Sequence, residues 1–285
     1  MKLKVAIQGV AGCYHDAAAR HYFAITKPQA EIETVESPSF SQMFSDLDCD
    51  PSLVGIVAIE NTIAGALLQN HELLRRSSLT VVGEYKMRIS HVLAALPGQR
   101  LTDIHEAHSH PMALMQCEQW LHRHPEIRMV ESFDTAGAAR DISTATQPGL
   151  AAVCSEYAAS LYGLDILERG IETNKRNFTR FLIVADPLLA DGLRPKEEML
   201  NKASIVFTLP HAQGALSKVL TILSFYDMNL SKIQSMPIIG REWEYRFYID
   251  LTFQSYARYL QAIDAVRPLM SDLKSLGQYT QFNEE

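Results

Sequence analysis

Apolar positions along the first 185 residues follow two alternating patterns. Short runs rich in Val and Ile, of which residues 54–59 are the clearest, are separated by stretches in which apolar residues recur at helical spacing. The predicted strands are residues 4–8, 31–35, 54–59, 79–82, 88–96, 127–131, 150–153 and 180–185, and the predicted helices are residues 14–25, 40–47, 66–76, 112–121, 135–142 and 156–161. This order predicts an α/β region of open, mostly parallel sheets covered by helices, with ligand sites at the carboxyl ends of the strands.

The alternation stops at residue 186. Residues 186–201 carry prolines, a glycine and mixed charges without an apolar period, and this composition predicts a linker. Beyond it come a strand, a helix and two strands, then a long helix at residues 259–276, with residues 278–282 as a possible last strand. That order is typical of a ferredoxin-like α+β sandwich, so the sequence predicts a second, smaller domain.

The composition fits a folded chain of about two domains, with 285 residues of which 47% are apolar and 21% charged. Lys and Arg number 26 against 33 Asp and Glu, a net charge of -7 that argues against a nucleic-acid partner, because neutralising phosphates requires a basic face. The amino terminus lacks the apolar run of an export signal, and no run approaches the roughly 18 apolar residues of a membrane helix. We therefore expect no membrane partner, a cytoplasmic location and reduced thiols at all 4 cysteines.

A glycine turn, Gly9–Gly12, joins the first predicted strand to the first predicted helix. Backbone N–H groups at such a helix start can bind an anion, although the motif is neither the dinucleotide fingerprint nor a P-loop. The alternative is a tight βα turn. Cys13, at the helix start, has either a lowered thiol pKa or the plain role of a small cap residue.

A polar trio, Glu60, Asn61 and Thr62, follows the buried strand at residues 54–59. One hypothesis is that Asn61 or Thr62 caps a helix that begins near Ala64. The other is that the trio donates hydrogen bonds to a ligand carboxylate. Both can hold, because a helix cap and an anion site share the same geometry.

Five histidines within 20 residues raise the possibility of a metal site: His105, His108, His110, His122 and His124. Their spacing does not match the H-E-x-x-H motif, and no fixed third ligand is evident. We therefore predict surface or structural histidines and no metal site.

The motif Asn-Phe-Thr-Arg-Phe opens the last strand of the α/β region. In an extended chain its first, third and fifth residues face one side, and these are Asn177, Thr179 and Phe181. Phe178 and Arg180 face the other side, so a local turn would be needed to aim Thr179 and Arg180 together. Arginine is the preferred partner of a carboxylate, which suggests a substrate contact. The alternative is an ordinary strand start with a surface arginine.

In order and spacing, these segments resemble the prephenate dehydratase family. The similarity covers almost the whole chain, and the Asn-Phe-Thr-Arg-Phe motif is its most specific part. The other parts are the Gly9–Gly12 turn, Glu60–Gly65, Gly83-Glu84, Ile89-Ser90-His91, Ser109-His110-Pro111, Gln116-Cys117, Trp120-Leu121, Asp134-Thr135-Ala136, Ala151-Ala152-Val153 and Tyr162-Gly163-Leu164.

The resemblance implies a two-lobed, periplasmic-binding-protein-like catalytic region at residues 1–185, with its second lobe at roughly residues 80–160 and its active site between the lobes. It also implies that residues 186–201 link this region to an ACT regulatory domain at residues 202–285. ACT domains typically pair, so a homodimer or homotetramer is expected. L-phenylalanine is the expected allosteric effector, and the residues implied for its site are Gly214, Ala215, Leu216, Asn229 and Leu230.

The family converts prephenate to phenylpyruvate in phenylalanine biosynthesis, with loss of carbon dioxide and the ring hydroxyl. Aromatisation drives the reaction, so the resemblance implies that no metal or other cofactor is needed. It implies that Thr179 lies nearest the leaving hydroxyl and donates a hydrogen bond or relays a proton, with electrostatic preorganisation providing most of the effect. Arg180 would neutralise substrate carboxylate charge, directly or by shaping the cleft. The other substrate-binding residues implied are Glu60, Asn61, Thr62, Thr135, Asn177, Phe181 and Cys13.

The chain departs from the family at two motifs. Cys13 and His15 stand where the family usually has Thr or Ser. Gln234-Ser235-Met236-Pro237 stands where it usually has Glu-Ser-Arg-Pro, so both charges of that motif are lost. Two alternative functions stay open. Arogenate dehydratase runs the same elimination on the aminated substrate, and a non-catalytic amino-acid sensor would use the same domains only for binding.

Overall fold

The computed structural model describes residues 2–241 and 243–282. Its strands are β1 (Lys2–Gln8), β2 (Glu31–Ser37), β3 (Val54–Asn61), β4 (Gly65–Ala66), β5 (Thr80–Arg88), β6 (Val92–Ala95), β7 (Glu106–Ser109), β8 (Arg128–Glu131), β9 (Leu150–Cys154), β10 (Asp165–Arg169), β11 (Phe178–Ala185), β12 (Lys202–Thr208), β13 (Asn229–Pro237), β14 (Tyr245–Thr252) and β15 (Ser271–Tyr279). Its helices are α1 (Tyr14–Thr26), α2 (Phe40–Cys49), α3 (Leu68–Arg76), α4 (Pro111–Gln116), α5 (Glu118–His122), α6 (Thr135–Ala145), α7 (Glu156–Leu161), α8 (Pro187–Leu193), α9 (Ala215–Phe225) and α10 (Tyr256–Val266). None of the helices in these ranges has the length and apolar character to cross a membrane.

The strands form three sheets. The first has the order β2-β1-β3-β11-β5, with β4 paired to β3, and β1 runs parallel to β2. The second has the order β10-β6-β9-β7-β8, in which β7 is parallel to both neighbours while β6 is antiparallel to both of its own. The third, β13-β14-β12-β15, is antiparallel. The predicted α/β region and α+β sandwich are both confirmed.

The described chain divides into two compact units. Unit 1 consists of the chain up to Met43, Ile56–Gly65 and Met87–Phe181. Unit 2 consists of Phe44–Gly55, Ala66–Lys86 and the chain from Leu182 onward. Unit 1 therefore holds the second sheet, and unit 2 holds the third sheet together with α3 and most of β5.

Within unit 2, the sandwich packs against α3 and β5 through buried charges. The ammonium of Lys202 lies 2.9 and 2.8 Å from the two carboxylate oxygens of Glu84, and both side chains are buried. Glu72 of α3 accepts a hydrogen bond from the Tyr248 hydroxyl at 2.8 Å and pairs with Arg246 at 3.3 Å. We call this set of residues the α3–β5 contact.

Strand β15 approaches the same two elements closely. The Lys274 ammonium donates to the carbonyl oxygens of Arg75 and Ser77 at 2.7 and 2.6 Å. These bonds supply donors to carbonyls at the end of α3, where the helix itself provides none, and place a positive charge at the negative end of its dipole. Gly277 lies so near the Val81 carbonyl of β5 that a Cβ atom on it would overlap that group. Glycine is thus required at position 277 by the close approach of the two strands.

The carboxyl-terminal helix is shorter than predicted. α10 ends at Val266, and residues predicted as the rest of the helix form a one-turn 3₁₀ segment, Arg267–Leu269, followed by β15. Pro268 explains the difference, because proline has no N–H to donate and its ring clashes with the preceding helical turn. The prediction of a helix to residue 276, with a last strand only at 278–282, is therefore wrong.

The segment predicted as a linker contains a helix. α8 begins at Pro187, and the Asp186 carboxylate accepts the Leu188 N–H at 2.9 Å as its cap. An Asp-Pro pair at a helix start is a recognised signature that the charge and proline content of this segment obscured. Three short strands, β4, β7 and β10, were also not predicted.

The strand predicted at residues 88–96 is interrupted. β5 ends at Arg88 and β6 begins at Val92, and between them the Ile89 N–H donates to the Asn177 carbonyl at 2.8 Å. This backbone bond places the connection between β5 and β6, including His91, beside the start of β11.

Candidate active site

The end of β3 and the start of β11 bring their polar side chains together in unit 1. Asn61, the last residue of β3, turns its side-chain oxygen back on its own chain, where Oδ1 accepts the N–H groups of Ile63 and Ala64 at 2.9 Å each. Side-chain bonds of this kind close an Asx turn. The predicted helix start near Ala64 is wrong, because α3 begins at Leu68 after the short strand β4.

The Asn61 amide nitrogen faces β11. Nδ2 lies 2.7 Å from Asn177 Oδ1, 3.2 Å from the Phe178 carbonyl oxygen and 3.0 Å from Thr179 Oγ1. An amide nitrogen only donates, so the Thr179 oxygen accepts here and its own O–H proton is left for another acceptor. Thr179 is 9% exposed while Asn177 is fully buried, so the threonine is the more open of the two side chains.

Thr62 fastens this turn to the start of β11. Its N–H donates to the Phe178 carbonyl at 2.9 Å, and its Oγ1 accepts the Phe178 N–H at 2.9 Å. Its hydroxyl donates to the Arg176 carbonyl at 3.1 Å. The Thr62 proton is thus already engaged with the protein, and the residue holds the two strands in register beside Thr179.

Arg180 lies on the other face of β11 from Thr179, as strand alternation predicts. Its side chain is buried, and its guanidinium lies 3.4 Å from the Glu60 carboxylate. The structure therefore brings Thr179 to Asn61 and Arg180 to Glu60 as two separate pairs. No local turn aims Thr179 and Arg180 together, because β11 is already extended from Phe178 onward.

The polar group around Asn61 continues through residues from other elements. Asn177 Nδ2 donates to Gln116 Oε1 at 2.9 Å, and His91 Nε2 lies 2.9 Å from the same oxygen. Asn177, Gln116 and His91 are all buried. We call Asn61, Asn177, Gln116 and His91 the site network. It is a continuous run of hydrogen bonds that ends at the Thr179 hydroxyl.

The glycine turn after β1 has its N–H groups occupied by the protein itself. The Ala11 N–H donates to Glu36 Oε1 at 2.6 Å, and the Gly12 N–H donates to Asp16 Oδ2 at 2.8 Å. Two carboxylates thus bind two of the N–H groups of the turn. The turn is the tight βα connection of the alternative, and an anion site at the start of α1 stays a prediction.

Cys13 is the N-cap of α1, and Thr135 is the first residue of α6. Burial and, to a lesser degree, the Asp134 carboxylate raise the pKa of the Cys13 thiol, so the expectation of a lowered thiol pKa is wrong. Asp134 caps α6 by accepting two N–H groups at 2.8 Å each, while burial raises the pKa of its carboxyl. Within the described residues, no hydrogen bond joins Cys13 or Thr135 to the site network. The 4 cysteines are free thiols.

Phe181 is almost fully buried and packs edge-on against His15, with ring centroids 5.2 Å apart. The His15 ring also meets Phe40 edge-on at 5.4 Å. Its Nε2 atom is buried without a hydrogen-bond partner in the part of the chain that the structure describes, and burial lowers the pKa of the imidazole to about 4. Phe181 thus packs β11 against His15.

The clustered histidines have separate structural contacts. His108 Nε2 lies 2.9 Å from the Glu106 carboxylate, and His110 Nδ1 accepts the Met112 N–H at 3.2 Å to cap α4. The His124 ring stacks on Trp120 with centroids 4.0 Å apart. Among the residues that the structure describes, no group of three or more His, Cys, Asp or Glu side chains could hold a metal ion.

Comparison with known proteins accounts for this arrangement. The family model described as prephenate dehydratase matches residues 5–187. The chain belongs to the prephenate dehydratase family. It is 36% identical over 296 residues to Arabidopsis thaliana arogenate dehydratase 5, covering 97% of this chain and 67% of that protein. It is 31% identical over 284 residues to the Escherichia coli bifunctional chorismate mutase/prephenate dehydratase, covering 98% and 71%.

Solved structures agree with this family assignment. A prephenate dehydratase from Arthrobacter aurescens, in complex with L-Phe, has a TM-score of 0.83 at 25% identity and covers 98% of this chain and 90% of its own. GqqA, described as a novel type of quorum quenching acylase, has a TM-score of 0.83 at 28% identity, with 98% of each chain covered. One prephenate dehydratase fold is therefore shared by relatives with different names.

Gln116 and His91 were not among the predicted site residues. Both stand in segments that carry the resemblance to prephenate dehydratases, but no spacing joins them to Thr179. They come from α4 and from the connection between β5 and β6, and only the tertiary fold places them beside Asn177.

The residues expected to bind an effector fall into two groups. Gly214, with a positive φ of 73°, precedes α9, and Ala215 and Leu216 are its first two residues. Asn229 and Leu230 begin β13 after the far end of α9, and the Asn229 amide donates to the Thr252 hydroxyl at 3.3 Å. One chain therefore does not bring the two groups together.

Proposed function

We propose that this prephenate dehydratase family member converts prephenate to phenylpyruvate, carbon dioxide and water. The observation that carries the proposal is the hydrogen bond from Asn61 Nδ2 to Thr179 Oγ1 at 3.0 Å. Because the threonine oxygen accepts this bond, its O–H proton is free to be donated to a substrate. Accepting a bond also polarises that O–H, which makes it a better donor.

In the reaction, the ring carboxylate leaves as carbon dioxide and its electron pair enters the ring. The hydroxyl across the ring then leaves with the electron pair of its C–O bond, and one proton is taken up to release it as water. Thr179 donates a hydrogen bond to the departing oxygen, where negative charge develops, and solvent supplies the proton in the balance. The driving force is the aromatic ring that results.

The surroundings of Thr179 suit an anionic substrate. Asn61, Asn177 and Gln116 are neutral carboxamides, so the positioning groups add no negative charge beside a dianion. Arg180 and Glu60 pair on the opposite face, so we propose that Arg180 acts by holding β3 and β11 in shape. Direct contacts of Glu60, Thr62, Thr135, Phe181 and Cys13 with the substrate remain predictions.

The test uses purified protein with prephenate and with arogenate, following phenylpyruvate and phenylalanine formation. Thr179→Ala should lower kcat by about 10²- to 10³-fold, the usual cost of removing one hydrogen-bond donor from developing negative charge. Thr179→Ser keeps the hydroxyl and is the matched control, with kcat expected within about tenfold of wild type. Turnover of Thr179→Ala at the wild-type rate would exclude the assignment.

Two alternatives are decided by the same assay. Faster turnover of arogenate than of prephenate would identify an arogenate dehydratase, an activity named among the relatives. Binding of either compound without product would identify a non-catalytic amino-acid sensor.

An acylase activity is less well supported by the site. A threonine nucleophile needs a base to take its proton. Within the described residues, the hydrogen-bond partner of the Thr179 hydroxyl is the Asn61 amide nitrogen, which is a donor. An acylated amine substrate belongs in the assay as a third compound, and we expect no hydrolysis.

We propose that L-phenylalanine is the allosteric effector and that residues 202–285 act as an ACT domain. Support comes from the L-Phe complex of the Arthrobacter relative. Gly214 and Asn229 stand at opposite ends of α9, whose 11 residues span roughly 16 Å. One amino acid cannot contact both within a single chain, so a shared site requires two copies. This supports a homodimer or homotetramer.

The regulatory proposal predicts that phenylalanine inhibits the oligomer and not a dissociated chain. Inhibition should weaken on dilution as light scattering reports monomer, and equal inhibition of a monomer would contradict the two-chain site. A catalytic region at residues 1–185, a linker at 186–201 and a cytoplasmic location stay predictions.

A further inference from the structure

The site network has a direction that can be followed from atom to atom. It begins at the backbone N–H groups of Ile63 and Ala64, which can only donate. Their acceptor must be the Asn61 oxygen, so the Asn61 nitrogen is the atom that faces Asn177. Amide orientation is ordinarily assigned from hydrogen-bond partners, and here a backbone anchor leaves one choice.

The same reasoning fixes the next two side chains. The Asn61 nitrogen donates to Asn177 at 2.7 Å, so the Asn177 atom it meets is the oxygen and the Asn177 nitrogen faces Gln116. That nitrogen donates to Gln116 at 2.9 Å, so the Gln116 atom it meets is also an oxygen. Gln116 Oε1 therefore receives one donor from Asn177 and requires a second donor from His91.

His91 Nε2 lies 2.9 Å from this oxygen, and both side chains are buried. We propose that His91 is a positioning residue for Thr179, with its proton held on Nε2 so that it donates to Gln116 Oε1. Gln116 then holds Asn177, Asn177 holds Asn61, and Asn61 leaves the Thr179 proton free. The inference rests on the proposed function only for the role of that proton, which Thr179 donates in a hydrogen bond to the substrate.

The other edge of the His91 ring is held by the protein as well. Tyr14 Oη lies 2.7 Å from the Ser90 carbonyl and 2.9 Å from His91 Nδ1, so with the His91 proton on Nε2 the single Tyr14 proton is shared between these two acceptors. The His91 backbone N–H donates to the buried Glu172 carboxylate at 3.0 Å. Ring and backbone are thus fixed on both sides. The other neutral tautomer, with its proton on Nδ1, would set two acceptors, a bare Nε2 and the Gln116 oxygen, against each other at 2.9 Å.

The first experiment reads the tautomer directly. Histidine ¹⁵N spectra of the full chain, compared with those of His91→Gln, isolate the two ring nitrogens of His91. A protonated Nε2 that persists when no substrate is present supports the proposal. An unprotonated Nε2 overturns it. This measurement does not depend on turnover, so it remains decisive even if neither prephenate nor arogenate is consumed and the proposed function fails.

The second experiment separates positioning from folding. His91→Leu should lower kcat about 100-fold with a smaller change in KM, because misplacing a catalytic group costs about that much. His91→Gln keeps an N–H group at a similar distance from Gln116, so its kcat should be about tenfold higher than that of His91→Leu. His124→Gln, which removes another packed histidine from unit 1, is the matched control and should leave kcat unchanged.

The decisive comparison is made in the Thr179→Ala background. If His91 acts through Thr179, adding His91→Leu to Thr179→Ala should lower kcat by less than about twofold. The reason is that the effects of substituting residues that act as a unit are not additive. A full 100-fold further loss in that background would overturn the proposal. So would wild-type kcat in His91→Leu. Thermal unfolding of each variant confirms that the compared proteins are folded.

Discussion

Buried polar groups are held in two different ways in this molecule. The site network is built from carboxamides and a histidine whose pKa is lowered by burial, so its members are neutral. The α3–β5 contact is built from charged groups, such as the buried pair of Lys202 and Glu84. An amide has a donor end and an acceptor end, so it fixes a direction. A charge attracts its partner from any side, so it fixes proximity.

This difference matches what each region has to do. In the proposed function, the Thr179 proton is kept in one place, and a nearby fixed charge would perturb an anionic substrate. In the α3–β5 contact, the sandwich has only to stay attached to α3 and β5. Buried ion pairs contribute little net stability, but removing one partner is costly, which makes such a contact specific.

The largest effect on stability is expected at the buried ion pair. Lys202→Met leaves the Glu84 carboxylate without its ammonium partner, and should lower the free energy of unfolding by about 3 kcal/mol. Urea unfolding measures this. Lys2→Met removes a lysine from an exposed pair with Glu33 and is the matched control, for which little change is expected.

The same variant tests whether the two regions are distinct in function. Below its unfolding temperature, Lys202→Met should keep a kcat near that of wild type, because the ion pair fixes proximity and not the Thr179 proton. If kcat fell as far as in His91→Leu, the contrast between the regions would not hold.

A smaller, pH-dependent effect is expected at Glu72. The hydrogen bond from Arg75, with those from Arg76 and Tyr248, lowers the pKa of this carboxyl from 4.5 to about 2. The stabilisation is complete above about pH 4.5 and is lost as pH falls toward 2. Glu72→Gln should therefore cost about 2 kcal/mol at pH 7, after allowance for partial exposure. Unfolding at pH 7, 4 and 3 should show the difference shrinking, and a constant difference would contradict the assignment.

The smallest effect is expected at His15, whose buried Nε2 has no hydrogen-bond partner among the described residues. His15→Phe removes the unpartnered Nε2 between Phe40 and Phe181 and should stabilise the protein by about 1 kcal/mol at pH 7. Because the folded pKa of about 4 lies below the usual 6.5, wild type loses stability as pH falls from 6.5 to 4. The advantage of the variant should grow over that range, and thermal unfolding at pH 7 and 5 measures it.

The sequence predicted those features that depend on neighbours along the chain. Alternation placed Thr179 and Arg180 on opposite faces of β11, and the structure has them there. The helix predicted to residue 276 failed because apolar spacing was weighed above Pro268, which is itself a local signal. Local rules thus gave the strands and helices to within a few residues, except where proline or a short strand intervened.

Contacts between distant segments could not be predicted. The glycine turn had the pattern of an anion site, but nothing in the sequence indicated that Glu36 and Asp16 accept the N–H groups of Ala11 and Gly12. His91 and Gln116 are separated by 25 positions, and only the fold sets them 2.9 Å apart. A single sequence contains the polar residues of a site without stating which of them face one another.

Gly277 limits how this protein can be altered. Because a Cβ atom at this position would overlap the Val81 carbonyl, any side chain there would force β15 and β5 apart. Even alanine would push the strands apart, and the Lys274 ammonium beside it would be drawn off the end of α3. The absence of one methyl group therefore allows the sandwich to pack closely on β5 and α3, and a variant at this position would be the simplest way to disrupt that packing.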